Sequence, residues 1–216
     1  MDPERLATMR REYARAGLVE QDLPEDPYAL FADWLHDASE VDLPEPNAVI
    51  VSTVSAEGQP SSRAVLLKGY DTVRGFLFFT NYGSRKAREI AGNPRVSLLF
   101  PWHALGRQVI VLGTATRASA DESARYFRSR PHESQLGAWA SRQSQPVASR
   151  DELDRHHDEL SRRWPEGTDV PVPDFWGGFW VKPESIEFWQ GRAGRMHDRL
   201  RYREIYDGWR IERLSP

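Results

Sequence analysis

Apolar positions along the chain change their period twice. Up to about residue 40 they recur at helical spacing, first at Leu6, Met9 and Tyr13. They recur again at Ala29, Leu30, Ala32, Trp34 and Leu35, predicting a helix from about Pro27 to His36. Leu23-Pro24-Glu25-Asp26 is the loop between the two, ending in an Asp N-cap before a proline at the first helical position. From Asn47 the pattern becomes β-branched and alternating. Ala48–Val54, Ser62–Lys68 and Gly75–Asn81 read as strands, the first two joined by the turn Ala56-Glu57-Gly58-Gln59-Pro60. A short helix, Ser84–Gly92, is closed by Gly92-Asn93-Pro94. Arg95–Trp102 and Arg107–Arg117 are two more strands. Helical spacing returns from Ala120 to about Arg163, broken near Pro131 and Pro146. Gly177–Arg213 reads as three strands.

Strands dominate the middle and the end, and most neighbours are joined by short turns. That favours a mainly β, α+β fold: a small antiparallel barrel with helices at its margin, whose closure removes exposed sheet edges. No Pro/Gly/Ser-rich linker divides the chain, so residues 1–216 read as one domain. At this length such a domain buries roughly 70% of its unfolded surface.

Composition narrows the function more than it names one. Hydrophobic residues make up 39% and charged residues 28%, as in a soluble globular protein, and the net charge of −3 gives no support for a nucleic-acid or acidic-membrane partner. The absence of cysteine excludes disulfides, thiolate catalysis and Cys-based metal sites. No run is apolar enough to span a bilayer, and Met1–Arg15 lacks a signal-peptide core, so the expected compartment is the cytoplasm. His156 and His157 are adjacent and cannot share a metal on a helix. With His103 and His132 they read as structural or surface residues, and no metal site is expected. No Walker loop, GxSxG or GxGxxG is present.

Four segments can carry chemistry. In Asn81-Tyr82-Gly83-Ser84-Arg85-Lys86, Ser84 is a plausible N-cap. Arg85 and Lys86 then oppose the helix dipole, which makes sense if an anion shares that N-terminus; two solvated charges are the alternative. In Arg63-Ala64-Val65-Leu66-Leu67-Lys68 the two cations point to opposite faces of a regular strand. They serve different anions, or a bulge unites them, or they are ordinary strand-end charges. Tyr126, Arg130 and Ser134 bracket a helix start, with Pro131 at its first position. They offer a phenol, a guanidinium and a hydroxyl to a second phosphate, or else mark a polar helix break. In Glu187-Phe188-Trp189-Gln190-Gly191-Arg192-Ala193-Gly194-Arg195-Met196-His197-Asp198-Arg199, an extended 195–199 would put Arg195, His197 and Arg199 on one face. Such a trio needs an anionic or π-rich partner unless it is a solvated sheet edge.

The last segment resembles the C-terminal signature of the pyridoxine/pyridoxamine 5′-phosphate oxidases. The same likeness runs in order through Arg10-Arg11-Glu12-Tyr13, Arg63–Lys68, Gly83–Lys86, Asn93–Trp102, Arg107-Gln108, Ser129-Arg130-Pro131, Gln143-Ser144 and Phe175–Gly178, covering the chain from about Met9. The resemblance implies a homodimeric split β-barrel that binds flavin mononucleotide (FMN) between subunits. Residues 1–20 would form a flap and 175–216 the dimerisation and substrate strands. It implies that Arg63, Lys68, Arg85, Lys86, Gln143 and Ser144 hold the FMN phosphate and its surroundings. Ala64, Val65, Leu66, Leu67, Phe79 and Thr80 would line the flavin, and Gln108, Trp189 and Arg199 would contact its ring end. Lys68, Tyr126, Arg130 and Ser134 would bind the substrate phosphate, Arg195, Met196 and His197 would lie at the pyridine ring, and Arg10, Arg11, Glu12 and Tyr13 would cover it.

What the resemblance implies is oxidation of pyridoxine or pyridoxamine 5′-phosphate to pyridoxal 5′-phosphate, with oxygen as acceptor and hydrogen peroxide as product. Arg195 and His197 would orient the substrate, and Arg199 would favour reduced flavin. Departures from the family pattern are small: Phe79 replaces a frequent Tyr, Glu45 a frequent Asp and Met196 a common Leu. Two alternatives stay open, a split-barrel FMN oxidase of the phenazine-biosynthesis type and a non-catalytic carrier of flavin or pyridoxal phosphate.

Overall fold

The computed structural model describes residues 17–216, and the expectations for Leu6, Met9, Arg10, Arg11, Glu12 and Tyr13 lie outside them. Eight strands run β1 (Ala48–Val54), β2 (Pro60–Asp71), β3 (Gly75–Asn81), β4 (Arg95–Phe100), β5 (Arg107–Arg117), β6 (Trp176–Gln190), β7 (Asp198–Ile205) and β8 (Gly208–Arg213). Among the described residues five helices accompany them: α1 (Pro27–Glu40), α2 (Arg85–Gly92), α3 (Ala120–Ser129), α4 (His132–Ala140) and α5 (Arg150–Arg163). The strand order is β3-β2-β1-β4-β5-β6-β7-β8, and a further β3–β6 pairing closes the first six into an antiparallel barrel. β6 serves two partners in turn. Trp176–Val181 pairs with β3 and Ser185–Gln190 pairs with β7, and Pro183, which has no N–H to give a ladder, lies between the two stretches.

The described residues group into two compact units. The first takes residues 17–46, 98–111 and 184–216. Its helix α1 starts where Asp26 accepts the Tyr28 N–H with Pro27 at the first position, and buries Tyr28, Phe31, Trp34 and Ala38 at helical spacing. Phe31 meets Phe100 and Trp102, with centroids 5.0 and 5.8 Å away, and Trp34 meets Phe188 edge-on at 5.2 Å. Each such buried side chain stabilises the fold by about 1.5–3 kcal/mol. The helix runs past His36 to Glu40 because Ala38, fully buried, continues its apolar face.

The second unit takes residues 47–97 and 112–183. β1 alternates buried and half-buried positions and pairs with β2 in unbroken register, Ala48 opposite Leu66 through Val54 opposite Pro60. Between β2 and β3 the register slips at Lys68, with Leu67 opposite Phe78 but Gly69 opposite Leu77. This irregularity is the bulge left open by the sequence. Helices α3 to α5 add a small core of Phe127, Leu136, Leu160, Val170 and Trp176. Pro131 is the cap residue before α4 rather than its first helical residue. Its φ/ψ of −51°/144° is not helical, and α4 begins at His132.

Candidate active site

A cleft of about 550 Å³ in the second unit is lined by β2, β3, α2, α3 and α4. Of the residues expected at FMN or substrate, it gathers Ala64, Val65, Leu66, Lys68, Phe79, Thr80, Lys86, Tyr126, Arg130, Ser134 and Gln143. Sequence reasoning missed Asn81, Ser141 and Trp176, which line it too. Leu67 points away from it into the core, 6% exposed.

One wall is aromatic. Phe79 stacks on Tyr126, 4.1 Å away, and on Trp176, 5.3 Å away; those two lie 6.1 Å apart, so the three nearly parallel rings form one cluster. The cluster depends on Gly178 opposite Phe79 on β6, where a Cβ would come within 2.9 Å of the Phe79 ring. Two cations lie over this wall: Arg130, its guanidinium 4.8 Å from the Trp176 centroid, and Lys68, its ammonium 5.9 Å from that of Tyr126. Arg130 Nη1 is buried and has no hydrogen-bond partner among the described residues. An orphaned guanidinium nitrogen is costly unless something anionic occupies the space beside it.

The other basic group begins at α2. Ser84 caps the helix by accepting the Ala87 N–H, and Ser144, in a left-handed conformation, accepts the Arg85 N–H. Lys86 is only 6% exposed, and its ammonium donates to Thr80 Oγ1 at 2.9 Å and Gln143 Oε1 at 3.0 Å. No carboxylate is bonded to it among the described residues. Burial, with Arg63 nearby, pushes its pKa down to about 8. A desolvated ammonium facing only neutral oxygens is built for an incoming anion.

Arg63 and Arg85 turn elsewhere. Both converge on the buried Glu89: Arg85 Nε at 2.7 Å, Arg63 Nη2 at 3.6 Å. Arg63 also donates to Val51 O, Thr53 Oγ1 and Ser61 Oγ. Burial pushes the Glu89 carboxyl up, but hydrogen bonds from Thr53, Arg85 and Ser61 outweigh it and hold the pKa at about 2. The bulge therefore puts Lys68 on the cleft without bringing Arg63 beside it.

The remaining expected residues belong to the first unit. Residues 195–199 are not one extended strand. Ala193–Arg195 form a single 3-10 turn, Gly194 and Arg195 have positive φ, and β7 begins only at Asp198. The shared strand face expected for Arg195, His197 and Arg199 does not exist. The sequence signal for this was Gly194, which takes the left-handed conformation that starts the turn. Arg199 is bound by Glu187 through two hydrogen bonds, 2.7 and 3.1 Å, which raise its pKa. Its charge is thus largely matched by Glu187. His197 packs on Trp189, centroids 4.7 Å apart, while Met196 is 68% exposed. Asp198 is buried and accepts from Arg213 Nη1 at 2.6 Å, Leu18 N at 3.0 Å and Arg192 Nη1 at 3.3 Å. Gln108 is partly buried near the start of β5. Its neighbour Arg107 is fixed by Asp37 and Gln190.

Comparison with known proteins places these features in a family. Residues 35–162 match the family described as pyridoxamine 5′-phosphate oxidase, and residues 176–216 match the pyridoxine 5′-phosphate oxidase C-terminal dimerisation region. A pyridoxine/pyridoxamine 5′-phosphate oxidase of Rubrobacter xylanophilus is 57% identical, covering 98% of this chain and 96% of its own. The protein of the same name from Escherichia coli is 52% identical over 99% of this chain and 97% of its own. Among solved structures, PhzG from Burkholderia lata in complex with tetrahydrophenazine-1-carboxylic acid superposes with a TM-score of 0.85 at 30% identity, covering 92% of this chain and 98% of that one. An FMN-binding protein of Nostoc punctiforme shares the fold, with a TM-score of 0.68 at 15% identity over 93% of this chain and 100% of that one.

Proposed function

The chain belongs to the pyridoxamine 5′-phosphate oxidase family, and on that premise we propose that it is a homodimeric, FMN-dependent oxidase making pyridoxal 5′-phosphate from pyridoxine or pyridoxamine 5′-phosphate. The observation that carries this reading is the pair of desolvated cations on one cleft: Lys86 without a carboxylate and Arg130 with an orphaned Nη1. Two phosphorylated ligands, the flavin and the vitamer, answer two such groups.

In this reading Lys86, Thr80 and Gln143 hold the FMN phosphate, with Ser144 ordering the start of α2. Arg63 and Arg85 frame that end through Glu89. Lys68, Tyr126, Arg130 and Ser134 hold the substrate phosphate, and Phe79, Tyr126 and Trp176 supply the apolar wall. Anchoring the phosphate fixes the ring, so that the reacting carbon is presented in one orientation. Arg195 and His197 act on the pyridine ring, and Arg10 to Tyr13 cover it. FMN, when bound there, would supply the two-electron acceptor for the hydride of the 4′-carbon, with oxygen as the final oxidant and hydrogen peroxide as its product.

A phenazine-type oxidase is the second reading, favoured by the close superposition on PhzG. The ligand named in that structure is a carboxylic acid without phosphate, so the two readings differ in the anion that Arg130 would meet, a carboxylate or a phosphate. The test is anaerobic. Pyridoxine 5′-phosphate should bleach the visible flavin spectrum, and unphosphorylated pyridoxine at the same concentration should bleach it far more slowly. Equal rates would remove the phosphate site from the reading. No bleaching by either, with the flavin bound, would overturn the vitamer reading and leave the phenazine-type oxidase and the carrier.

A further inference from the structure

Between β6 and β7 the chain doubles back. Gly194 and Arg195 are both left-handed, with φ of 64° and 62°. The reversal brings the peptide N–H of Arg192 to Nδ1 of His197 at 3.1 Å. Both ends of this loop are held at one carboxylate. The Arg192 guanidinium donates to Asp198 at 3.3 Å, Asp198 follows His197 directly, and it is fixed in turn by Arg213 and the Leu18 N–H. The imidazole also rests on Trp189, its plane tilted 47° to the indole. Ring position and rotation are therefore both set.

A peptide N–H can only donate, so the ring nitrogen that meets it carries a lone pair and no proton. Neutral His197 then bears its single proton on Nε2. We propose that His197 is a fixed Nε2–H hydrogen-bond donor toward an electron-rich atom of the substrate ring, held in that tautomer by the Arg192 peptide, and is not the base of the reaction. The inference rests on the reading that His197 faces the pyridine ring. Nε2 has no lone pair to take a proton, and the lone pair of Nδ1 is engaged by Arg192. When the 4′-hydroxymethyl group becomes an aldehyde, the carbon gives up a hydride to FMN and the hydroxyl gives up a proton. By this assignment that proton passes to water and not to the imidazole. The family resemblance implies that the acceptor of this Nε2–H is the phenolic oxygen of the 3-hydroxypyridine, where charge gathers in the phenolate. Arg192 becomes a positioning residue through its backbone N–H, a donor that every residue but proline would keep at 192.

Two measurements test this. In the holoenzyme labelled with [15N]histidine, long-range proton–nitrogen correlation should show His197 Nδ1 unprotonated and Nε2 protonated, the signal being assigned by its loss in His197→Gln. A proton on Nδ1, or on both nitrogens, at neutral pH overturns the proposal. The second measurement compares two amides. The Gln amide reaches the place of Nε2 and can donate there. The Asn amide reaches the place of Nδ1 and can only satisfy Arg192. In anaerobic flavin bleaching by pyridoxine 5′-phosphate, His197→Gln should keep kcat/KM at least about tenfold above His197→Asn. A smaller gap or the reverse order overturns the donor assignment. Should the parent enzyme fail to oxidise the vitamer at all, the functional reading falls, while the nitrogen spectrum still decides the tautomer.

Discussion

Replacing Lys86 by methionine separates what the lysine costs the fold from what it does for a phosphate. Methionine keeps the length and removes the charge from a side chain that is 6% exposed. A pKa lowered from 10.5 to about 8 corresponds to roughly 3 kcal/mol against the charged form in the FMN-free fold. Removing the ammonium also removes its bonds to Thr80 and Gln143, but those two remain bonded to each other at 3.1 Å. The net expectation is that FMN-free Lys86→Met is more stable than its parent at pH 7 by about 1–2 kcal/mol. The gap should depend on pH in a defined sense. The unfolded chain holds this proton up to about pH 10.5, whereas the folded chain releases it near 8, so between these values the unfolded state binds more protons. Parent stability therefore rises across that window, and the advantage of the variant shrinks toward zero. Urea unfolding of both FMN-free proteins at equal concentration, at pH 7 and pH 10, measures this, other titrating groups cancelling in the difference. FMN binding moves the other way: losing a charge-assisted contact to phosphate should weaken the Kd by about 10- to 100-fold. A variant less stable than the parent at both pH values, or one that binds FMN unchanged, would refute the reasoning.

Arg130→Ala should raise KM for pyridoxine 5′-phosphate by at least about tenfold while FMN stays bound, since the proposed function assigns its orphaned Nη1 to the substrate phosphate. Loss of FMN with an unchanged KM would mean the two phosphate ends are exchanged. Arg195→Leu keeps the aliphatic bulk on an exposed loop, so the protein should remain dimeric and yellow while kcat/KM falls by about tenfold or more. Bleaching as fast as the parent at low and saturating substrate would make Arg195 structural.

The parts of the fold legible in the sequence are those where a local signal and the tertiary demand agree. Ala48–Val54, Gly75–Asn81 and Arg107–Arg117 fall where alternation and flanking turns put them, and Asp26 and Ser84 cap the helices they announce. β2 was read too short, because its ends at Pro60 and Asp71 are polar and are made strand by pairing with β1 and β3. The loop at 193–197 was misread because Arg-Met-His alternates like a strand. Only the left-handed pair at Gly194 and Arg195 reverses it, and one of that pair is an arginine.

Electrostatic roles were harder to read than elements, and the reason is specific. A sequence shows where the cations are but not which carboxylate each one finds. Arg63 and Arg85 spend most of their charge on Glu89, Arg199 on Glu187, and Arg192 and Arg213 on Asp198. None of these pairings has a fixed spacing; the partners lie from 4 residues apart, for Arg85 and Glu89, to 26, for Arg63 and Glu89. Once they are made, Lys86 and Arg130 stand out as buried or half-buried cations of the cleft with no carboxylate partner among the described residues. Leaving such groups unpaired lowers the stability of the ligand-free fold, a cost that a phosphate removes on arrival. On the proposed function, binding of phosphorylated ligands and stabilisation of the fold are one event at this cleft. Glu89, one turn from Arg85 on α2, pairs with both arginines, and although Arg63 still adds to the lowering of the Lys86 pKa, Lys86 is left as the buried cation of the cleft with no carboxylate among the described residues.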